Sequence, residues 1–260
     1  MEIKNNKSKA LTSQEIDLLS YLELKSEEVY TRDEINEFFN DNKKTAGYII
    51  KKLLEKKRLL SLIKNTYLVV PLKAPPGLWS ANEYSIAKKL IKNSTYYIGY
   101  AGVFNSYGFT EQVAQMVHIL NDTYSGEKII LGIKYKMIKV LKNRFYGLEE
   151  RIIDNKIVVF PKKERAMIDV FEFYKNNPRK AYKILNEHIA KLNIKVFVNF
   201  VSKYPVQIIR RRIGYFLNQL NIVDTLLDKI DSGRKGYSPL YEKISLKGRI
   251  NKRWRVIINE

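Results

Sequence analysis

The sequence contains no cysteine. That excludes disulfides, thiolate metal sites and thiol catalysis together, and it fits a cytoplasmic chain. Long apolar runs are missing as well, and no stretch approaches the ~18 residues expected of a membrane span. The opening MEIKNNKSKA lacks the apolar core of a secretory signal. Histidine is scarce: His118 lies in an apolar run and His188 on an amphipathic stretch, neither with a His-x-x-x-His or His-Glu partner. Both are expected to pack or to face solvent rather than to bind metal. The phosphate-binding patterns G-x-x-x-x-G-K-[ST] and G-x-G-x-x-G are absent, and so is an Asp-x-Asp pair for two metals. The expectation is a protein with no catalytic residue, no cofactor and no metal. The loose candidates for a metal-dependent nuclease are Asp154 and Glu164 near Lys162 and Lys163.

Negative charge is also in short supply, with 27 acidic side chains against 47 basic ones and a net charge of +20. Such an excess favours a polyanionic partner, because it raises both on-rate and affinity for phosphate backbones. At 45% hydrophobic and 12% aromatic, the composition is that of a folded chain rather than a disordered one. A lysine-rich surface without function is the plain alternative, and the distribution of charge argues against it. Residues 1–42 carry 5 basic and 10 acidic groups, whereas residues 43–73 carry 9 basic groups and one acid, Glu55. Uniform lysine drift does not reverse sign in this way.

Helix signals frame the reversal. Thr12-Ser13-Gln14-Glu15 opens an apolar run through Ile16, Leu18, Leu19 and Leu22. Thr31-Arg32-Asp33-Glu34 is a capping box leading into Ile35, Phe38 and Phe39. Asn40-Asp41-Asn42 is turn chemistry, and a third helix is expected from Lys43 to Arg58 with Ala46, Ile49, Ile50, Leu53 and Leu54 inward. Leu59–Leu62 and Tyr67–Val70 read as short strands around a tip at Ile63-Lys64-Asn65-Thr66. Three helices followed by a hairpin predict a winged helix-turn-helix over residues 1–73. Ala74-Pro75-Pro76-Gly77 supplies a linker at 74–78, and a larger mixed α/β domain follows over 79–260. In that domain a helix over 81–91 precedes the tyrosine-rich 96–109. Short apolar segments across 113–160 suggest strands, helices run from Glu164 to about Ile230, and RWRVIIN reads as a final strand. The predicted class is α+β.

On the third helix Lys44, Tyr48, Lys51 and Lys52 share one face opposite the apolar stripe, with Lys43 and Thr45 at its start. A recognition helix reads bases with its first turns and phosphates with flanking lysines. These six residues, with Lys64, Asn65 and Thr66 at the hairpin tip, form the candidate DNA-binding set. Tyr48 either meets a thymine methyl or packs on the wing. Residues 76–260 hold 33 basic and 16 acidic groups, densest at Arg210-Arg211-Arg212, Arg249, Lys252, Arg253 and Arg255. These make a candidate second basic surface for DNA or for an acidic or nucleotide-binding partner. Glu164, Arg165 and Asp169 read as an ion-pair cluster that pins a helix to the sheet.

Four segments in order resemble the AbiEi-type antitoxins of type IV toxin–antitoxin systems. They are YIGYAGVFNSYGFTEQV (97–113), PKKERAMIDVFEF (161–173), RRRIGYFLNQLNI (210–222) and SPLYEKISLKGRINKRWRVIIN (238–259). Asn251 stands where that family commonly has an aromatic. The resemblance implies an N-terminal domain that binds repeats in its own promoter and represses its operon. It also implies a C-terminal domain that counteracts a cognate nucleotidyltransferase-like toxin without forming a stable complex. Two readings stand beside it. One is a winged-helix transcription factor whose second domain senses a ligand or dimerises. The other is a DNA-processing enzyme.

Overall fold

The computed structural model describes residues 10–25, 27–75, 79, 82–84, 86–91, 94–112, 114–154, 156–231, 233, 235–242 and 246–259. The chain is α+β and divides into two units, Met1–Leu90 and Ile91–Glu260.

The first unit begins with helix α1 (Ser13–Leu24), which Thr12 and Glu15 cap reciprocally. Strand β1 (Val29–Thr31) leads directly into α2 (Arg32–Phe38), where Thr31 and Glu34 form the second capping box. Helix α3 (Lys43–Glu55) follows, capped by Asn42, whose Oδ1 accepts from the Thr45 amide at 3.1 Å. Strands β2 (Leu59–Ile63) and β3 (Thr66–Val69) form an antiparallel hairpin, and β1 pairs on the far side of β3, giving the order β1-β3-β2. Leu18, Leu19, Leu22, Ile35, Ile49, Ile50 and Leu53 from the three helices close on Tyr30, Leu59, Tyr67 and Val69. The period of 3.6 residues places these side chains on one stripe of each helix.

Three expectations change here. Ile16 is 43% exposed, while Glu15 is buried and pairs with Lys56. Burial alone would raise the Glu15 carboxyl, but the Lys56 ammonium and the Thr12 backbone amide outweigh it and hold the group below its ordinary value. The three-residue β1 is too short to show a period, and it is defined only by its partner β3. The division between units falls at Leu90 rather than at residue 74. Helix α4 (Ala87–Leu90) belongs to the first unit, where Lys89 pairs with Glu27 at 2.8 Å. Linker residues 76–78 lie outside the described residues.

The second unit opens with β4 (Tyr96–Gly99) and the short α5 (Ala101–Phe104). Strands β5 (Met116–Asn121), β6 (Gly126–Ile130) and β7 (Ile133–Lys139) complete a mixed sheet of order β4-β5-β7-β6. Strands β5 and β7 run parallel and the other neighbours antiparallel. Strands β8 (Leu148–Ile153) and β9 (Lys156–Pro161) form a separate hairpin. Helices α6 (Lys163–Phe173), α7 (Pro178–His188), α8 (Ile194–Lys203), α9 (Gln207–Gln219) and α10 (Asp224–Leu227) follow. The end of the chain forms a small sheet from β10 (Ser238–Pro239), β11 (Arg249–Asn251) and β12 (Val256–Ile258), with β12 in the middle.

His118 sits in β5 between Gly99 of β4 and Lys136 of β7, its ring 5.7 Å from Tyr100 and 5.7 Å from Phe173. It is 8% exposed, and burial, aided by Lys136, pushes its pKa down to about 4. Between pH 6.5 and pH 4 the unfolded chain therefore binds a proton there that the folded chain refuses. Stability is lost as pH falls through that window. His118→Leu is expected to remove this component. Urea titrations of both proteins at pH 7 and pH 4.5 should show a smaller acid loss in the variant, by at most about 3 kcal/mol. An equal loss in both would mean that His118 does not titrate as described.

Candidate nucleic-acid interface

Helix α3 is amphipathic because Ala46, Ile49, Ile50 and Leu53 fall on the buried side. The opposite side is consequently wet. Lys43, Lys44 and Lys51 are exposed, and Tyr48 is 60% exposed. Tyr48 is thus open to solvent and not packed away. Thr45 is half-buried, and its amide is already committed to the Asn42 cap. Lys52 is committed too: its ammonium lies 3.1 Å from Glu55 and 5.7 Å from the centre of the Tyr48 ring. That pairing raises the Lys52 pKa, with the Glu55 hydrogen bond as the largest cause. Among the described residues, the cations of this face without a partner are Lys43, Lys44 and Lys51.

The β2–β3 turn presents Lys64 and Asn65, both exposed, with Asn65 in the left-handed region at φ 57°. Thr66 does not join them. It is 4% exposed, pairs with Thr31 across the sheet, and donates its hydroxyl to the Lys64 carbonyl. The turn has two residues where the sequence suggests four, which draws Ile63 and Thr66 into the strands.

Sequence reading missed Arg32. Its backbone amide donates to the Asn65 carbonyl at 2.8 Å, so the start of α2 is tied to the turn. Its guanidinium lies over α3 at Gly47, where a Cβ would come within 2.9 Å of Nη2. The available signal was a glycine inside an otherwise regular helix, a position that disfavours helix by about 1 kcal/mol relative to alanine.

The second basic surface is largely dismantled by burial. Arg211 is 2% exposed and donates to Ser238 Oγ at 2.7 Å and to the Lys235 carbonyl at 2.8 Å. Arg212 is 0% exposed and donates to the carbonyls of Lys175 and Pro239, with Glu242 at 3.3 Å. Arg210 donates to the carbonyls of Tyr204 and Asp231. Three consecutive residues on a packed helix cannot all face water, and the five donors of a guanidinium suit it to gathering loop carbonyls. Arg255 holds the Gly233 carbonyl, and Arg253 pairs with Asp228 at 3.0 Å. Arg249, at the start of β11, and Lys252, in the β11–β12 turn, remain as exposed cations.

The ERAMID segment forms a buried network. Arg165 Nη1 meets Asp169 Oδ1 at 2.6 Å inside α6, both side chains fully buried. Tyr97 of β4 hydrogen-bonds to both residues. Arg144, which sequence reading also missed, approaches Asp169 at 3.9 Å and Glu172 at 3.7 Å. Burial pushes the Asp169 carboxyl up against the downward pull of the two guanidiniums. The network ties α6 to β4 and has no opening to solvent at Arg165 or Asp169. Glu164 lies apart from it and accepts the Asn193 amide at the start of α8. The nuclease candidates are not assembled, because the β8–β9 register puts Asp154 at the turn and Pro161 at the opposite end. Five strand residues separate them by about 17 Å. Among the described residues no group of three or more metal-ligating side chains is present, and no helix is long and apolar enough to cross a membrane.

Segment 108–112 turns sharply at Gly108, φ 72°. Thr110 and Gln112, with Phe104, Gln115 and Phe173, line an open cavity of about 600 Å³.

Compared with known proteins, the chain matches no family model and no curated protein. Among solved structures it is similar to the crystal structure of the RV2827C protein from Mycobacterium tuberculosis. The TM-score is 0.64 at 12% sequence identity, covering 95% of this chain and 92% of that one. At that identity the likeness shows a shared fold alone.

Proposed function

We propose that the N-terminal unit is a winged helix-turn-helix that binds double-stranded DNA upstream of its own gene and represses its operon. In this reading α2 and α3 are the helix-turn-helix, α3 enters the major groove, and the β2–β3 hairpin is the wing. The observation that carries it is the α3 face, where Lys43, Lys44, Tyr48 and Lys51 stand exposed with no acidic partner among the described residues. Charge that folding does not use is available to phosphate, and an exposed tyrosine on such a face is available to a thymine methyl.

The C-terminal unit, in the same proposal, counteracts a nucleotidyltransferase-like toxin in the cytoplasm without a stable complex. Its support is the resemblance of the four segments. A reporter fused to the chain's own upstream region tests both halves when the chain is co-expressed with such a toxin. Repression that Lys44→Ala with Lys51→Ala relieves, together with growth rescue that survives those substitutions, is the expected pair of results. Growth arrest unaffected by the chain would exclude the antitoxin role.

The open cavity beside Phe104 and Phe173 favours a second reading, a transcription factor whose larger unit senses a small ligand. A metabolite that changes operator affinity in the absence of any toxin would select it.

A further inference from the structure

The mid-helix glycine of α3 and the guanidinium above it need a common explanation. Gly47 shares a face with Lys44 and Lys51, at i−3 and i+4, and Tyr48 is its neighbour. Any side chain at residue 47 would meet Arg32 Nη2, since even a Cβ lies 2.9 Å away. Arg32 is half-buried. Its backbone amide is fixed to Asn65, so its Cα cannot drift from the hairpin turn. Among the described residues no carboxylate lies within ion-pair distance of its guanidinium, and no carbonyl accepts from it. The other arginine of this unit differs in this respect: Arg58 donates to the carbonyls of Pro71 and Ala74.

We infer that Gly47 clears a seat for Arg32, and that Arg32 grips one DNA phosphate where the backbone passes between α3 and the β2–β3 turn. The inference rests on the DNA-binding reading of the same unit. A phosphate is favoured over a base edge because Arg32 belongs to α2, the helix that crosses the backbone in this arrangement. Base edges are met by the first turns of α3. The planar fork of a guanidinium matches two phosphate oxygens, which an ammonium cannot do.

The test compares Arg32→Gln, Arg32→Lys, Gly47→Ala and the Arg32→Gln/Gly47→Ala double variant in full-length protein. Binding is read by fluorescence anisotropy on the upstream duplex and on a scrambled duplex over a salt series. Arg32→Gln is expected to lose about tenfold on both duplexes and to flatten the salt slope by about 1. Arg32→Lys should keep the slope but bind more weakly than wild type. Gly47→Ala separates binding from folding. Alanine favours helix over glycine, and the clash is with the tip of a flexible side chain, so its melting temperature should be no lower than wild type. Its affinity should nevertheless fall. If Gly47 acts through Arg32, the double variant binds no more weakly than Arg32→Gln alone.

Wild-type affinity in Arg32→Gln, a loss confined to one base-pair position, or additive losses in the double variant would each overturn the inference. Failure of the wild-type protein to bind either duplex would instead overturn the DNA-binding reading itself.

Discussion

Asp169→Ala should destabilise the C-terminal unit by about 3–5 kcal/mol, the cost of leaving a buried charge without its partner. The substitution strips Arg165 of its 2.6 Å contact and leaves Arg144 with Glu172 alone, in a site where Arg165 is fully buried. Replacing both charges, as in Arg165→Met with Asp169→Leu, should cost less than Asp169→Ala alone. It removes the stranded guanidinium along with the carboxylate. Urea unfolding of the three proteins decides the matter through midpoints at unchanged m-value. A double variant worse than the single one would mean that the cluster stabilises by more than mutual neutralisation, with Tyr97 and Arg144 dependent on both members.

The second large effect concerns binding. If the first unit binds DNA as proposed, Lys44→Ala with Lys51→Ala is expected to weaken binding to the upstream duplex by about 10- to 100-fold and to flatten the dependence of log K on log salt by about 2. Each lysine is counted as one phosphate neutralised. Lys52→Ala is the matched control, because its ammonium is already held by Glu55. That variant should bind nearly as wild type. If Lys52 matters as much as Lys44 and Lys51 together, the face that meets DNA is rotated from the one described. Melting temperatures should hardly move in any of these variants, since exposed lysines contribute little to stability.

Much of the first unit was legible in the chain because its signals are local. Thr12 with Glu15 and Thr31 with Glu34 announce helix starts through side-chain hydrogen bonds three residues long. The apolar stripe of α3 is a period that can be counted. What escaped depends on distant partners. Strand β1 exists because β3 lies beside it, and Glu15 is buried because Lys56, far along the chain, reaches it. The charge runs were the weakest guide. Arg210-Arg211-Arg212 looked like a surface patch, yet two of the three are inside, donating to the carbonyls of Lys235 and Lys175, which no local pattern could supply.

The four segments that carry the family resemblance meet in pairs. Tyr97 of the first contacts Arg165 and Asp169 of the second. Gly214 of the third lies under Trp254 of the fourth, so closely that a Cβ would run into the indole ring. Such motifs describe packing, which is why they speak more clearly for the fold than for what the fold does. The candidate interface is the converse case. Lys43, Lys44 and Lys51 could be read from spacing, whereas Arg32 is brought to this face only by the packing of α2 against α3.

The central claim is that the uncommitted cations of α3 serve sequence-specific binding. The most direct measurement is a mobility-shift titration of the wild-type chain against its own upstream DNA, with excess scrambled competitor, at two salt concentrations. Shifts that resist competitor and persist at the higher salt are the predicted result. Shifts that vanish equally with competitor and with salt would contradict the claim, leaving the +20 charge as an indiscriminate attraction to phosphate.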